Sequence, residues 1–267
     1  MGPSARKAAW RGARLPLLWE FVKREVAQQY KGSRLGLAWA ILNPLFMLVI
    51  YTVVFSAFLG FRARGESGGV RYALMIFSGL VPFRVLAEAI GRAPTAITGN
   101  ADLVKRVVFP SEILPVSVAL GSFVNGLFAL AVLLVMVLAV EGALPLTLAY
   151  LPAVWVVEVL LTTAVCYFLA AAGALVRDIQ ALVPHLTMAL LFLTPVVYPL
   201  DSLPQRFQRL MVLNPVAVIV VSHRNVVLYG EQPLWLPLGV VAVLSAGLAL
   251  AGARLFQVQS RYFPEEL

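Results

Sequence analysis

The side chains of this chain that could do chemistry are few and scattered. Thirteen Asp and Glu are spread over 267 residues, about one to a segment, whereas acid-base or metal-assisted catalysis needs such groups clustered. His185 and His223 are the only two histidines and Cys166 the only cysteine. No disulfide framework or Cys-rich metal site can be built from them, and Cys166, inside an apolar tract, reads as a small buried apolar residue. The histidines read as hydrogen-bonded positions rather than as a proton relay. No Gly-Lys dipeptide occurs, so no GxxxxGK loop can cradle a nucleotide. We therefore expect no catalytic residue, no metal and no cofactor bound by this chain. What remains is charge in unusual company: Lys23, Arg24, Lys31 and Arg34 before the first apolar tract, Arg84 and Glu88 inside the second, Glu158 inside the fourth, and the basic segment NADLVKRVVFPSEILP, Asn100 to Pro115. Such groups can draw anions to a surface or line a path through oil.

The elements that must hold them are dictated by composition. Hydrophobic residues make up 61% and charged residues 13% of the chain, and the mean hydropathy is +0.88, a balance that marks an integral membrane protein rather than a soluble domain. Crossing the hydrocarbon core takes about 20 mostly apolar residues in a helix. Uncharged or nearly uncharged runs at 35–61, 72–90, 113–140, 146–175, 179–198 and 232–253 predict six transmembrane helices. Between the last two, 200–228 contains an uncharged run too short to span and holds Asn214 and Pro215, which predicts two short re-entrant helices broken there. Ahead of the first span, Leu15, Leu18, Trp19, Val22 and Val26 recur at helical spacing, predicting an amphipathic interface helix over 15–31. It joins the first span through KGSRLG, where Gly32 and Gly36 permit a sharp change of direction. The expected fold is all-α, one unit over 1–267.

Orientation follows from Lys and Arg. Six spans put Arg6, Lys7, Arg11, Arg14, Lys23, Arg24, Lys31, Arg34, Arg92, Lys105, Arg106, Arg177, Arg254 and Arg261 on one side; Arg62, Arg64, Arg71, Arg206, Arg209 and Arg224 fall on the other. The richer side is expected to be cytoplasmic, with both termini. Glu20, Lys23 and Arg24 interrupt the apolar stretch after the N-terminal arginines, unlike a cleavable signal, so the chain reads as mature. Membrane-surface attraction accounts for a pI near 10.0, and nucleic acid is not expected as a partner.

In the segment 100–109, Asn100 can cap a short helix that carries Asp102 near its positive end and Lys105 and Arg106 further along, with Pro110 ending it. Taken alone this is a solvated loop or a docking helix. Arg84 and Glu88, four apart, predict an intrahelical ion pair. Glu158 has no opposite charge in its own span. Tyr51, Phe55 and Phe58 give the first span one aromatic face. These residues leave open an ion-coupled secondary transporter, which would need paired broken spans and buried carboxylates.

Three blocks carry a resemblance that covers most of the chain: KREVAQQYKGSRLGLAWAILNPL (Lys23 to Leu45); SGLVPF (Ser78 to Phe83) with NADLVKRVVFPSEILP; and VRDIQ (Val176 to Gln180) with LTPVVYP and the later Asn214, Pro215 and Arg224. They resemble the permease subunit of type-2 ATP-binding-cassette exporters for lipid-linked polysaccharide, the group that moves O-antigen or teichoic acid. The resemblance implies a homodimer enclosing a channel, two copies of a separate ABC ATPase that hold ATP and Mg, and a polyprenyl-diphosphate-linked glycan as cargo in the bacterial cytoplasmic membrane. It implies that Leu103, Val104, Lys105, Arg106 and Phe109 form the coupling helix. Lys23, Arg24, Lys31 and Arg34, with Leu35 and Gly36, would form the lipid-diphosphate gate, and Tyr51, Phe55 and Phe58 would face the channel. Asn214, Pro215 and Arg224 would belong to the outer gate, with Arg206, Arg209 and Arg224 near the external headgroups. Export of a small lipid or drug by a related permease is the alternative within that class.

Overall fold

A computed structural model describes residues 3–54, 69–106, 110–176 and 178–259; for 3–14, Lys105 and Arg106 the backbone alone is described. Phe55, Phe58, Phe109 and Arg177 lie outside these residues. The elements in chain order are α1 (Pro3–Tyr30), α2 (Trp39–Thr52), α3 (Gly69–Arg92), α4 (Ala101–Arg106), α5 (Ile113–Glu141), α6 (Leu151–Leu175), α7 (Ile179–Leu193), α8 (Gln205–Met211), α9 (Pro215–Arg224) and α10 (Trp235–Gln259). No strand occurs among the described residues.

Among the described residues four helices are long and apolar enough to cross a membrane: α3 with the turn after it, α5, α6 with the turn before it, and α10. At 1.5 Å per residue, the 24 residues of α3 reach about 36 Å, enough for a hydrocarbon core of about 30 Å. α3 is the axis of the fold, its central stretch largely buried, whereas α10 lies mostly exposed. The buried Ala73, Ser78, Gly79 and Ala89 on α3 let neighbouring backbones approach closely, the way helices associate where oil surrounds them on every side. α6 runs beside α3 and packs on α10 through the Tyr167 and Phe256 rings, whose centroids are 5.8 Å apart. Cys166 is fully buried at this seam, its Sγ 3.9 Å from the Ala89 carbonyl.

The expected span over 179–198 is helical only as α7, 15 residues long, or about 22 Å at 1.5 Å per residue. It stops at Leu193 because Pro195 follows Thr194: a residue before proline is pushed out of helical backbone, and Thr194 is extended with φ −116° and ψ 138°. Among the described residues α2 is a short apolar helix, preceded by a tight turn at Gly36–Ala38; the remainder of the expected span, 55–61, lies outside them. α8 and α9, the latter prolonged by a wider turn to Tyr229, form a pair bent by 100°. α1 runs on from Pro3 without stopping at Pro16, further than the amphipathic pattern over 15–31 indicates. Its inward face is also rotated from that pattern. Phe21, Val22 and Glu25 are buried against the bundle, while Leu15 and Trp19 are exposed, because Glu25 is drawn inward by Arg92.

Candidate functional site: a polar cavity where α1 meets the bundle

Where α1 ends, the chain turns back through Lys31 to Gly36 with Gly32 at φ +87° and Gly36 at φ +50°, backbone that glycine reaches without strain. Ser33 fixes the turn. Its Oγ accepts from the Leu35 N–H at 3.3 Å and from Trp39 Nε1 at 2.8 Å. Behind this turn, between α1, α2, α3 and α5, lies a cavity of about 340 Å³ whose polar lining comes from Gln29, Tyr30, Ser33, Asn43, Arg84, Glu88, Ser122 and Asn125, with Trp39 as its aromatic wall. A polar chamber is costly in a bundle of oily helices, so such groups mark function or a satisfied network. A hydrogen-bonded network is found here.

The network runs across three helices. Arg92, at the end of α3, pairs with the Glu25 carboxylate on α1 and donates from Nη2 to the Glu25 carbonyl at 3.2 Å. Its Nη1 lies 3.6 Å from Glu88 Oε1. Glu88 also accepts from Gln29 Nε2 and, at 2.9 Å, from Asn125 Nδ2. The Tyr30 hydroxyl donates to Asn125 Oδ1 at 3.3 Å. Burial, followed by the Glu88 charge, raises the Tyr30 pKa above its ordinary value, so the phenol stays a donor. The expected Arg84–Glu88 pair is therefore corrected. Glu88 Oε1 instead accepts from two amides on other helices and lies 3.6 Å from Arg92 Nη1, while Arg84 points its Nη1 at Met47 Sδ, 3.6 Å away, a weak acceptor. Ser122 is fully buried on the cavity wall and its Oγ has no hydrogen-bond partner.

The predicted gate residues lie beside this chamber in different states. Lys23 is bound to Glu20 at 2.8 Å and sits 5.9 Å from the Trp19 ring centroid; Arg24 lies 5.8 Å from that of Phe21. Lys31, Arg34 and Leu35 are exposed on the turn. Tyr51 packs partly against the α3–α6 core. Leu103 and Val104 on α4 pack partly against the cluster that holds Phe21, Ile97 and Leu114, and the Asn100 amide donates to the Ala96 carbonyl at 2.9 Å, closing the turn before α4. Glu158 is not at the cavity. It is buried on α6 with Oε1 lacking a hydrogen-bond partner, as does Thr162 Oγ1 one turn on. Among the described residues no three His, Cys, Asp or Glu side chains converge on a metal position.

Away from the cavity, Asn214 caps α9. Its Oδ1 accepts from the Val216 and Ala217 N–H groups at 3.0 and 3.3 Å, and Pro215 takes the first helical position, where no N–H is needed. Its amide donates back to the Leu193 carbonyl at 3.1 Å, tying α9 to the end of α7. Arg224 departs from the expectation of a headgroup-facing charge. It is 3% exposed, donating to the carbonyls of Met75, Pro195 and Val196 at 3.1, 2.9 and 2.8 Å. The carbonyls of Pro195 and Val196 lie in the turn after α7, outside any helix, while that of Met75 also accepts from Ser78 Oγ at 2.8 Å. Beside it, His223 Nδ1 lies 2.8 Å from the Ser78 carbonyl. Arg206 and Arg209 are exposed on α8.

Gln29, Tyr30, Ser122 and Asn125 were not singled out by sequence reasoning. The available signal was Asn125 alone, an amide in the middle of an otherwise apolar tract.

The chain matches the family described as ABC-2 type transporter over residues 16–228. It is 28% identical over 253 residues to an O-antigen export system permease protein, RfbA, of Myxococcus xanthus, covering 94% of this chain and 95% of that one. It is 25% identical over 217 residues to the protein of the same name in Klebsiella pneumoniae (80% and 81%). It is 22% identical over 237 residues to the polysialic acid transport protein KpsM of Escherichia coli (88% and 90%).

Proposed function

Because the chain belongs to the ABC-2 type transporter family, we propose that it is the channel-forming permease of an ATP-driven exporter that moves lipid-linked polysaccharide across the bacterial cytoplasmic membrane. One observation carries this: the near end-to-end likeness to an O-antigen export permease, without large gaps in coverage on either side. ATP and Mg are held by a separate ABC ATPase, present in two copies beneath two copies of this chain. The largely exposed apolar faces of α2 and α7, with Ile41, Phe46, Ile50, Leu186 and Phe192 on them, support a second copy as their cover. The six-span layout completes α2 and α7 as spans within that dimer, with both termini and α4 on the cytoplasmic side and the bent α8–α9 pair as an outer gate.

In this reading the cargo presents an anionic diphosphate between a lipid that prefers oil and sugars that do not. Burying that charge bare would cost many kcal/mol. Arg24, exposed on α1, with Lys31 and Arg34, exposed at the α1–α2 turn, lower the cost where the cargo arrives, and Lys23 joins them by releasing Glu20. The coupling segment 100–109 takes up closure of the ATPase and passes it to the bundle through Leu103 and Val104.

Deleting the chain from its host should abolish surface glycan and leave lipid-linked polymer inside the cell; intact surface glycan would refute the proposal. In the complex reconstituted with its ATPase, Arg106→Ala with Phe109→Ala should lower cargo-stimulated ATP hydrolysis severalfold while the permease still assembles. Unchanged stimulation would remove the coupling role.

A further inference from the structure

We infer that the cavity between α1, α2, α3 and α5 is a sugar-binding site that takes one pyranose unit of the transported glycan; this rests on the exporter reading. Three observations bring the ligand into view. Ser122 Oγ is buried on the wall with its hydrogen-bonding capacity unused, which is expensive unless something fills the space. The Arg84 guanidinium faces the same space with a thioether as its hydrogen-bond partner, so most of its five donors are uncommitted. Trp39, held by Ser33, offers a flat aromatic wall.

The chemistry favours a neutral polyol over a phosphate. Arg84 and Glu88 stand one helical turn apart on the lining, so the chamber offers a multiply charged anion one cation and one repelling carboxylate. A sugar gains from both, because its hydroxyls accept from the guanidinium as well as donate to the carboxylate. About 340 Å³ is at the small end of ligand cavities, roughly 300–1,000 Å³, which suits one ring and excludes a polyprenyl chain. The position, behind the Lys31–Gly36 turn, puts a bound ring next to the exposed Lys31 and Arg34. A sugar adjoining the diphosphate would therefore be read while the diphosphate meets those cations.

The test is saturation-transfer NMR on the purified permease–ATPase complex, with methyl glycosides of the sugars in the host's own surface glycan as probes. At least one glycoside should receive magnetisation from wild type. Arg84→Met and Ser122→Val, chosen because neither removes a charged partner, should each cut the signal at least fivefold. Ser122→Thr, which keeps the hydroxyl, should retain it. An equal concentration of sodium pyrophosphate should leave it unchanged. No transfer from any glycoside, transfer unaffected by both substitutions, or displacement by pyrophosphate would each overturn the inference. Should Arg84→Met fail to assemble, Ser122→Val alone decides. The two readings separate cleanly: loss of surface glycan on deletion with no glycoside bound sinks the sugar site alone, and glycoside binding with intact surface glycan sinks the exporter reading.

Discussion

Arg92, at the end of α3, and Arg224, on α9 and bound against Met75 and Gly79 within α3, solve the problem of a cation among oily helices in opposite ways. Arg224 donates to main-chain carbonyls of α3 and of the extended stretch after α7, groups that no substitution can alter and that do not move unless the backbone does. Arg92 is held chiefly by the carboxylates of Glu25 and Glu88. Its main ties are side chains, one of them on α1, a helix at the edge of the bundle. The first arrangement staples elements together; the second latches one element to the rest through groups that can let go. The difference separates a fixed end of the molecule from an adjustable one.

Substitutions can break or sharpen that contrast. The largest effect is expected from Arg224→Met, which leaves the buried carbonyls of Pro195 and Val196 without their donor and takes one of two from Met75; at about 1–3 kcal/mol for an unsatisfied group, most of the folded protein should be lost. Size-exclusion yield and thermal unfolding in detergent measure this, and a variant as stable as wild type would mean Arg224 is no staple. Next comes Gly79→Ala, whose Cβ would sit 2.5 Å from Arg224 Nη2 and 3.2 Å from the Val196 carbonyl; overpacking of this kind costs about 1–3 kcal/mol. The same melt reports it, and no shift would show that the guanidinium can step aside.

At the adjustable end, Glu25→Gln and Arg92→Gln should couple in a double-mutant cycle by about 0.5–3 kcal/mol. Either change should raise hydrogen exchange in α1 and leave α9 as it was; exchange spreading evenly over both ends would erase the distinction. Asn214→Ala, which removes a helix cap, should cost about 1 kcal/mol, visible as a small drop in melting temperature. Lys23→Gln loses only an exposed pair with Glu20 and should stay within about 0.5 kcal/mol of wild type. A larger loss would place Lys23 in the latch.

The long helices were legible because an apolar tract of span length has little else to become. The break at Asn214 and Pro215 was legible for a local reason: a side chain that caps and a ring without an N–H act on adjacent residues. The premature end of α7 hangs on Pro195 acting on Thr194, a signal outweighed when hydropathy is averaged over 179–198. The cavity could not be read. Gln29, Glu88, Ser122 and Asn125 come from three helices, and nothing in their separate surroundings says that they meet. Arg84 and Glu88 looked paired because spacing along one helix was the geometry available, yet Asn125 and Gln29 reach Glu88 from α5 and α1. Arg224 looked exposed because its segment is short and polar at its ends, and its carbonyl partners lie 28 to 149 residues away in the chain.

Cys166, the single cysteine of the chain, is sealed between α3 and α6 with 0% exposure. The native protein thus offers thiol-directed reagents a blank surface. One engineered cysteine at a time, at Lys31, Leu146 or Arg206, would report from which face of a sealed vesicle a maleimide that cannot permeate reaches it, without rebuilding the protein first.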